Sequence, residues 1–450
     1  MNNRKIIIIG NGIAGITAAR HIRKKDVGAE ILVVSGESDH FFSRTALMYI
    51  YMGHMKYAHT KPYEDGFWEK NRINLKRAWV DTVDFQGKKV EYRDGGTDAY
   101  DVLILATGSK PNKFGWPGQD LQGVQGLYSL QDLERMEQNT KDIKKAVIVG
   151  GGLIGIEMAE MLASRKIEVT FLVREENFWD NVLPKEEAQL IGRHIREHHI
   201  DLRLGTELGE IIGDSSGRVK AVSTKSGEKI DCQFVGLTVG VSPNIEFLRN
   251  SELGTNRGIL VNEFFQTNIP DVYAIGDCAE FKQAPAPDRR NIEQVWYTGR
   301  MHGETLAHNL THSKAVPYKP GIWFNSAKFF DIEYQTYGTV PTALPADWDW
   351  FYWEDPKGKR CFRIVFGKSD KKIKGVNALG WRLRHAYFDK AIAEGWMMEK
   401  VLLHLQKANF DPEFFDSPHK DVLAAYNEQY GKSLQPALKS LFQNLFGTKV

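Results

Sequence analysis

Two stretches of the chain carry the same order of apolar and polar positions. Residues 5–9 (Lys-Ile-Ile-Ile-Ile) are apolar after one charge, the pattern of a strand buried on both faces. A turn, Gly10-Asn11-Gly12-Ile13-Ala14-Gly15, follows, and the spacing of apolar positions then lengthens to that of a helix running to about Lys25. Residues 30–35 form a second apolar run, with Glu37 just past it. Further on, residues 145–149 read as a strand, Gly150-Gly151-Gly152-Leu153-Ile154-Gly155 as the turn, 156–165 as the helix and 169–173 as the second strand, ending at Arg174.

Strand, glycine turn, helix and strand in this order make a dinucleotide-binding unit. The first glycine permits the tight turn, the second lets a pyrophosphate approach the backbone, and the third lets helix and strand pack closely. The helix start offers backbone N–H groups to phosphates. One such turn is a weak signal. Two, each in the right context and about 140 residues apart, predict two dinucleotide domains in one chain.

Elsewhere, residues 100–111 predict a strand running into a Gly/Pro turn, and 272–279 a strand ending in Gly276-Asp277. Alternating patterns at 329–337, 348–353, 361–366 and 373–379 predict further strands, and 383–406 helices. Leu434, Leu438, Leu441, Phe442, Leu445 and Phe446 recur at helical spacing, which predicts a helical tail docked on its parent domain, the alternative being a membrane surface or a partner. Trp348, Trp350 and Trp353 predict one face of a sheet or an interdomain core, the alternative being a docking surface for an electron-transfer partner or a second subunit.

Composition narrows the class without naming a partner. The chain has 450 residues, 42% hydrophobic and 26% charged, which excludes a disordered or collagen-like polymer. With 59 Lys+Arg against 57 Asp+Glu there is no basic excess, so nucleic acid is not an expected partner. No apolar run is long enough to span a bilayer and the chain starts on a strand-like run, so a soluble, cytoplasmic protein is expected. Cys232, Cys278 and Cys361 are far apart, which excludes a disulfide scaffold; no metal site is expected.

The motifs GxGxxG at 10–15, Ala106-Thr107-Gly108, GGGxIGxE at 150–157 and YAxGD at 273–277, in that order, resemble the pyridine nucleotide–disulfide oxidoreductase superfamily over roughly residues 4–310. The stretch 41–51 lacks cysteine, so the resemblance is to the disulfide-free branch of ferredoxin and rubredoxin reductases, the flavin part of nitrite reductase and apoptosis-inducing factor. It implies an α/β fold with two Rossmann-like domains, for FAD (1–112 and 245–318) and for NAD(P)H (113–244), and a smaller α+β C-terminal domain (319–450) whose tail, 411–450, exceeds the usual family end.

By the same resemblance, Gly10, Gly12 and Gly15 hold the FAD pyrophosphate, Glu37 accepts from the adenosine ribose, and Arg44 pairs with phosphate. The Val80 backbone meets the adenine, Thr107 and Gly108 cross near the flavin, and Asp277 after Gly276 binds the ribityl chain. Trp296 is flavin-proximal. Gly150, Gly152 and Gly155 take the nicotinamide cofactor, and Glu157 lies near the nicotinamide; the lysine that pairs with it in several relatives is missing from 44–49. Arg174 leans towards NADPH, through its 2′-phosphate, while Glu175, Glu176 and Gly155 lean towards NADH. The implied activity is hydride transfer from NAD(P)H to FAD, then electron transfer to a small redox protein. The alternatives are an NAD(P)H oxidase or quinone reductase, or a flavoprotein with a binding and assembly role. A homodimer is compatible with the resemblance.

Overall fold

The computed structural model describes residues 4–414 and 416–437. They divide into two compact units, one of residues up to Glu176 with Ile200–Pro320, the other of Asn177–His199 with the chain from Gly321 onward.

In the first unit, two parallel five-stranded sheets are built alike. One has the order Val272–Ala274, Val102–Leu105, Lys5–Ile9, Glu30–Ser35, Ile73–Arg77. The other runs Asp201–Arg203, Glu168–Leu172, Lys145–Val149, Phe234–Leu237, Val124–Gln125. The central strand of each feeds the glycine turn. Ile6, Ile7 and Ile8 are fully buried, as are Val147 and Ile148, so the apolar runs do mark strands covered on both faces. The predicted helices are Ile13–Lys25 and Leu153–Ser164, the second starting earlier than its apolar spacing predicts.

Helix Trp296–Thr311 packs against helix Ile13–Lys25. Glycine makes this approach possible: a Cβ at Gly303 would come within 2.6 Å of the Ala14 carbonyl oxygen. The two crossings between the parallel sheets pair as a short antiparallel ribbon, Ser109–Pro111 against Val241–Pro243. No helix among the described residues is long and apolar enough to cross a membrane.

The second unit is built on an antiparallel five-stranded sheet with the order Phe324–Phe329, Ile332–Gly338, Ile373–Leu379, Cys361–Gly367, Trp348–Glu354. The single strand predicted at 329–337 is a correction. The chain turns at Phe330, whose φ is +55°, and two strands meet there as a hairpin. Phe351 and Trp353 lie in a core with helices His385–Ala393, Met398–Leu403 and His419–Tyr430. On the other parity of the same strand, the Trp350 and Tyr352 rings flank the fully buried Arg363 guanidinium, 4.1 and 4.6 Å from it. Arg363 donates to Glu187 at 2.7 Å, which ties helix Lys185–Glu197 to this sheet. Leu434 packs on the C-terminal core and Ala437 donates to the Leu403 carbonyl; Leu438, Leu441, Phe442, Leu445 and Phe446 lie outside the described residues.

Candidate functional site

Each glycine turn divides its duties as its spacing predicts. Gly10 and Gly150 have φ of +116° and +113°, and a Cβ on either would strike the backbone of the neighbouring strand's end, Ala106 or Thr238. A Cβ on Gly15 or Gly155 would strike the carbonyl oxygen of Gly10 or Gly150. Gly12 and Gly152 are different: a Cβ there would meet nothing within 4 Å. No side chain caps either helix. Both turns therefore present an uncapped helix start to open space, at the end of the central strand where the connections diverge.

Around the first turn the predicted residues converge. Arg44 donates to both oxygens of Glu37, at 2.7 and 2.6 Å, and to the Tyr128 carbonyl at 2.6 Å. The predicted ribose acceptor and the predicted phosphate cation are thus partners in a paired, charge-assisted contact. Glu37 also accepts from the Leu130 N–H, and its carbonyl accepts from the Gln131 amide. The other end of that amide, Gln131 Oε1, is buried and has no partner among the described residues. Trp79, just before Val80, lays its ring over Gly36 at the end of the second strand.

Asp277 accepts from the Ser109 hydroxyl at 2.9 Å and from the Tyr128 hydroxyl at 3.3 Å. Burial pushes its carboxyl up, while Ser109 and the Arg44 charge oppose the rise. Gln294 donates to Ser109 at 2.8 Å, just before Trp296 begins its helix. Thr107 donates to the Asn244 carbonyl and Asn244 donates back to the Gly108 carbonyl, so the outgoing and returning crossings are stitched here.

Behind Asp277 lies a second, buried network. The Gly276 N–H donates to His302 Nδ1 at 3.1 Å, which fixes the imidazole proton on Nε2, directed at Glu293 Oε2 3.3 Å away. Glu293 also accepts from Arg289 at 2.9 Å and from the Tyr318 hydroxyl at 2.9 Å. Tyr128, Ser109, Gln294, His302 and Glu293 carry no motif. The nearest sequence signal is Ser129-x-x-Asp132, a capping box that starts a helix and so places Tyr128 at its mouth.

Around the second turn, no cation lies within ion-pair distance of Glu157 among the described residues. Burial raises its carboxyl to about 7, and nearby Glu160 adds to the rise. A carboxyl shifted from 4.5 to about 7 favours the fold while protonated, so that stability, ~3 kcal/mol, is present below the ordinary carboxylate range and lost as pH rises through 7. Glu157→Gln is expected to match the parent at pH ~5 and to unfold later at pH ~8; parallel thermal denaturation at both pH values checks it, and identical pH profiles would contradict it.

Arg174 is three-quarters exposed and donates to Glu175 at 2.6 Å. Cys278 is fully buried, its thiol directed at the Leu105 and Ile275 carbonyls, and burial pushes its pKa up. Cys232 and Cys361 are buried as well. None of the three thiols has the exposure and low pKa of a reactive cysteine.

A family model described as "Pyridine nucleotide-disulphide oxidoreductase" matches residues 4–303. Nitrite reductase [NAD(P)H] of Bacillus subtilis is 31% identical over 285 residues, 63% of this chain and 35% of that protein. NADH oxidase of Methanocaldococcus jannaschii is 33% identical over 290 residues, 61% of this chain and 63% of that protein. The matches thus span about a third and somewhat under two thirds of these relatives. Among solved structures, a ferredoxin reductase from Rhodopseudomonas palustris is similar with a TM-score of 0.77 at 23% identity, over 94% of this chain and all of that one. This likeness shows the fold: two Rossmann-like parallel sheets and an antiparallel C-terminal sheet.

Proposed function

The chain belongs to the pyridine nucleotide–disulphide oxidoreductase family, and from that premise we propose that it is an FAD-dependent NAD(P)H oxidoreductase that passes electrons to a small redox protein such as a ferredoxin or rubredoxin. The observation that carries the reading is the pair of uncapped, open glycine turns, each at the switch point of its own parallel sheet.

The residues around the first turn fit FAD. Gly12 leaves room for a pyrophosphate, Arg44 offers a guanidinium for phosphate, Glu37 and Gln131 offer acceptors to a ribose, and Asp277 offers one to a hydroxylated chain. Bound FAD would supply the hydride acceptor and the electron store. The protein's own work is to orient and enclose. Ser109 and Tyr128 hold the Asp277 carboxylate, and His302 holds the turn that carries it. Around the second turn, Gly152 leaves room for the second pyrophosphate, and Glu157, titrating near 7, offers a carboxyl able to donate or accept at the nicotinamide end. Arg174 is the residue we assign to a 2′-phosphate, a slight lean to NADPH; its bond to Glu175 must open for that contact.

The absence of cysteine from 41–51 and the burial of Cys278 speak against a thiol relay or a cysteine-based oxidase, and for electrons leaving directly to an acceptor protein. A cytoplasmic location and a homodimer are compatible with this reading. A turnover assay compares oxygen uptake with cytochrome c reduction in the presence and absence of added ferredoxin or rubredoxin. Stimulation of cytochrome c reduction by one of the two carriers, by ~10-fold or more, is expected. Oxygen uptake that accounts for all turnover would instead make the protein an oxidase.

A further inference from the structure

Outside both glycine turns, the second unit brings together, among the described residues, one group of side chains with donor atoms close enough to share a cation. His194, His198 and Asp331 offer one ligand atom each, all within 4.8 Å of one another. The two histidines are four residues apart at the end of helix Lys185–Glu197, so both rings leave the same face. Asp331 stands in the hairpin turn created by the positive φ of Phe330. Its Oδ1 is 2.7 Å from His194 Nε2 and 3.0 Å from His198 Nε2.

Two further observations separate this cluster from an ordinary polar contact. His194 is 1% exposed, and among the described residues its Nε2 makes no hydrogen bond despite the short approach of Asp331. The carboxylate oxygen therefore lies out of line with the ring N–H direction, and a buried nitrogen is left aimed into the cluster. Packing also fixes the rings: His198 stacks on Phe330 at 4.1 Å and 7°, and meets the His194 ring edge-on at 4.6 Å. Asp331 is mostly exposed, so the cluster opens to water on one side.

We propose that His194 Nε2, His198 Nε2 and Asp331 Oδ1 bind one divalent transition cation of the zinc class, which clips the end of the helix to the hairpin. Two imidazoles and one carboxylate select such a cation over magnesium or calcium, which take oxygen ligands. Water completes the coordination on the open side. A metal on Nε2 puts the imidazole proton on Nδ1, and Glu197 Oε2, 3.5 Å from His194 Nδ1, is the acceptor for it. Lys359 is the built-in competitor: its Nζ lies 3.0 Å from the same Nδ1 and also donates to Glu197. Removing that amine therefore frees Glu197 and strengthens the site. The inference is independent of the flavin reading, because no residue of the cluster belongs to either glycine turn.

The test uses the full-length protein, dialysed against a chelator and titrated with zinc by calorimetry, then with cobalt by visible absorption. One equivalent is expected to bind. His198→Ala and Asp331→Ala, both at partly exposed positions, are each expected to weaken binding more than ~10-fold, and Lys359→Met to tighten it. His308 and His312 supply the control: their rings stack at 4.0 Å on another helix, but among the described residues no carboxylate joins them within ligand distance. His312→Ala is expected to leave the affinity unchanged. No stoichiometric zinc in the parent protein, parent-like affinity in Asp331→Ala, or loss of binding in His312→Ala would each overturn the proposal.

Discussion

Gly12→Val is expected to fold normally and to purify without flavin, while Gly152→Val is expected to keep its flavin and fail to be reduced by NAD(P)H. The two positions are the only members of their glycine sets where a Cβ meets nothing within 4 Å. The added side chain therefore strains no backbone: neither Gly12 (φ −71°) nor Gly152 (φ −116°) has a left-handed φ. What it fills is the space a pyrophosphate needs. Substitution at Gly10 or Gly150 reads differently, because a Cβ there strikes backbone at 2.0 or 2.6 Å and the fold itself is lost. Flavin absorbance and nucleotide-dependent bleaching, measured with circular dichroism on the same samples, separate these outcomes. A yellow Gly12→Val protein would show that the first turn does not hold FAD, and a colourless Gly152→Val protein would reverse the assignment of the two turns.

Glu293→Ala is expected to be the costliest polar substitution near the site. Both side chains of the Arg289–Glu293 pair are almost fully buried, at 3% and 2% exposure. Removing Glu293 takes the carboxylate from a buried ion pair, which costs ~3–5 kcal/mol. Burial works against the Glu293 charge, yet His302 and Arg289 hold its carboxyl below the ordinary range. Its contribution is therefore present above the ordinary carboxylate pKa and is lost as pH falls through the depressed value. Glu293→Gln keeps an acceptor for Tyr318 and His302 but not the charge, and is expected to lie between the parent and Glu293→Ala. Loss of the carboxylate also takes away the acceptor facing His302 Nε2, and so loosens the ring whose Nδ1 accepts from Gly276 beside Asp277. Weaker flavin retention should accompany the lower stability. Urea denaturation of the three proteins at pH ~7 and ~4 checks both parts; a Glu293→Ala protein within ~0.5 kcal/mol of the parent would contradict them.

The parts of the fold legible in the sequence are those set by local physics. Gly10 and Gly150 had to be glycine because the turn takes φ near +115° there, and the isoleucine run had to be a strand because nothing in it tolerates water. The hairpin at Phe330 escaped the reading because its turn uses a bulky residue at positive φ, where glycine or asparagine is the usual signal. Residues 177–199 leave the first unit and join the second through contacts such as Glu187 to Arg363, a pairing across 176 positions with no local trace. The same limit applies to the site. Glu37, Arg44 and Asp277 stand in motifs, but the bond between Glu37 and Arg44, and the assembly of Ser109, Tyr128 and Gln294 around Asp277, depend on tertiary folding that brings distant turns together.

The most direct test of the central claim is an anaerobic titration of the purified, flavin-loaded protein with NADH and NADPH in parallel, following the flavin's visible absorbance. Full bleaching by one equivalent of nucleotide is expected, with NADPH the faster of the two through Arg174. A bound flavin that neither nucleotide reduces would contradict it, and would leave the two dinucleotide turns without a reaction between them.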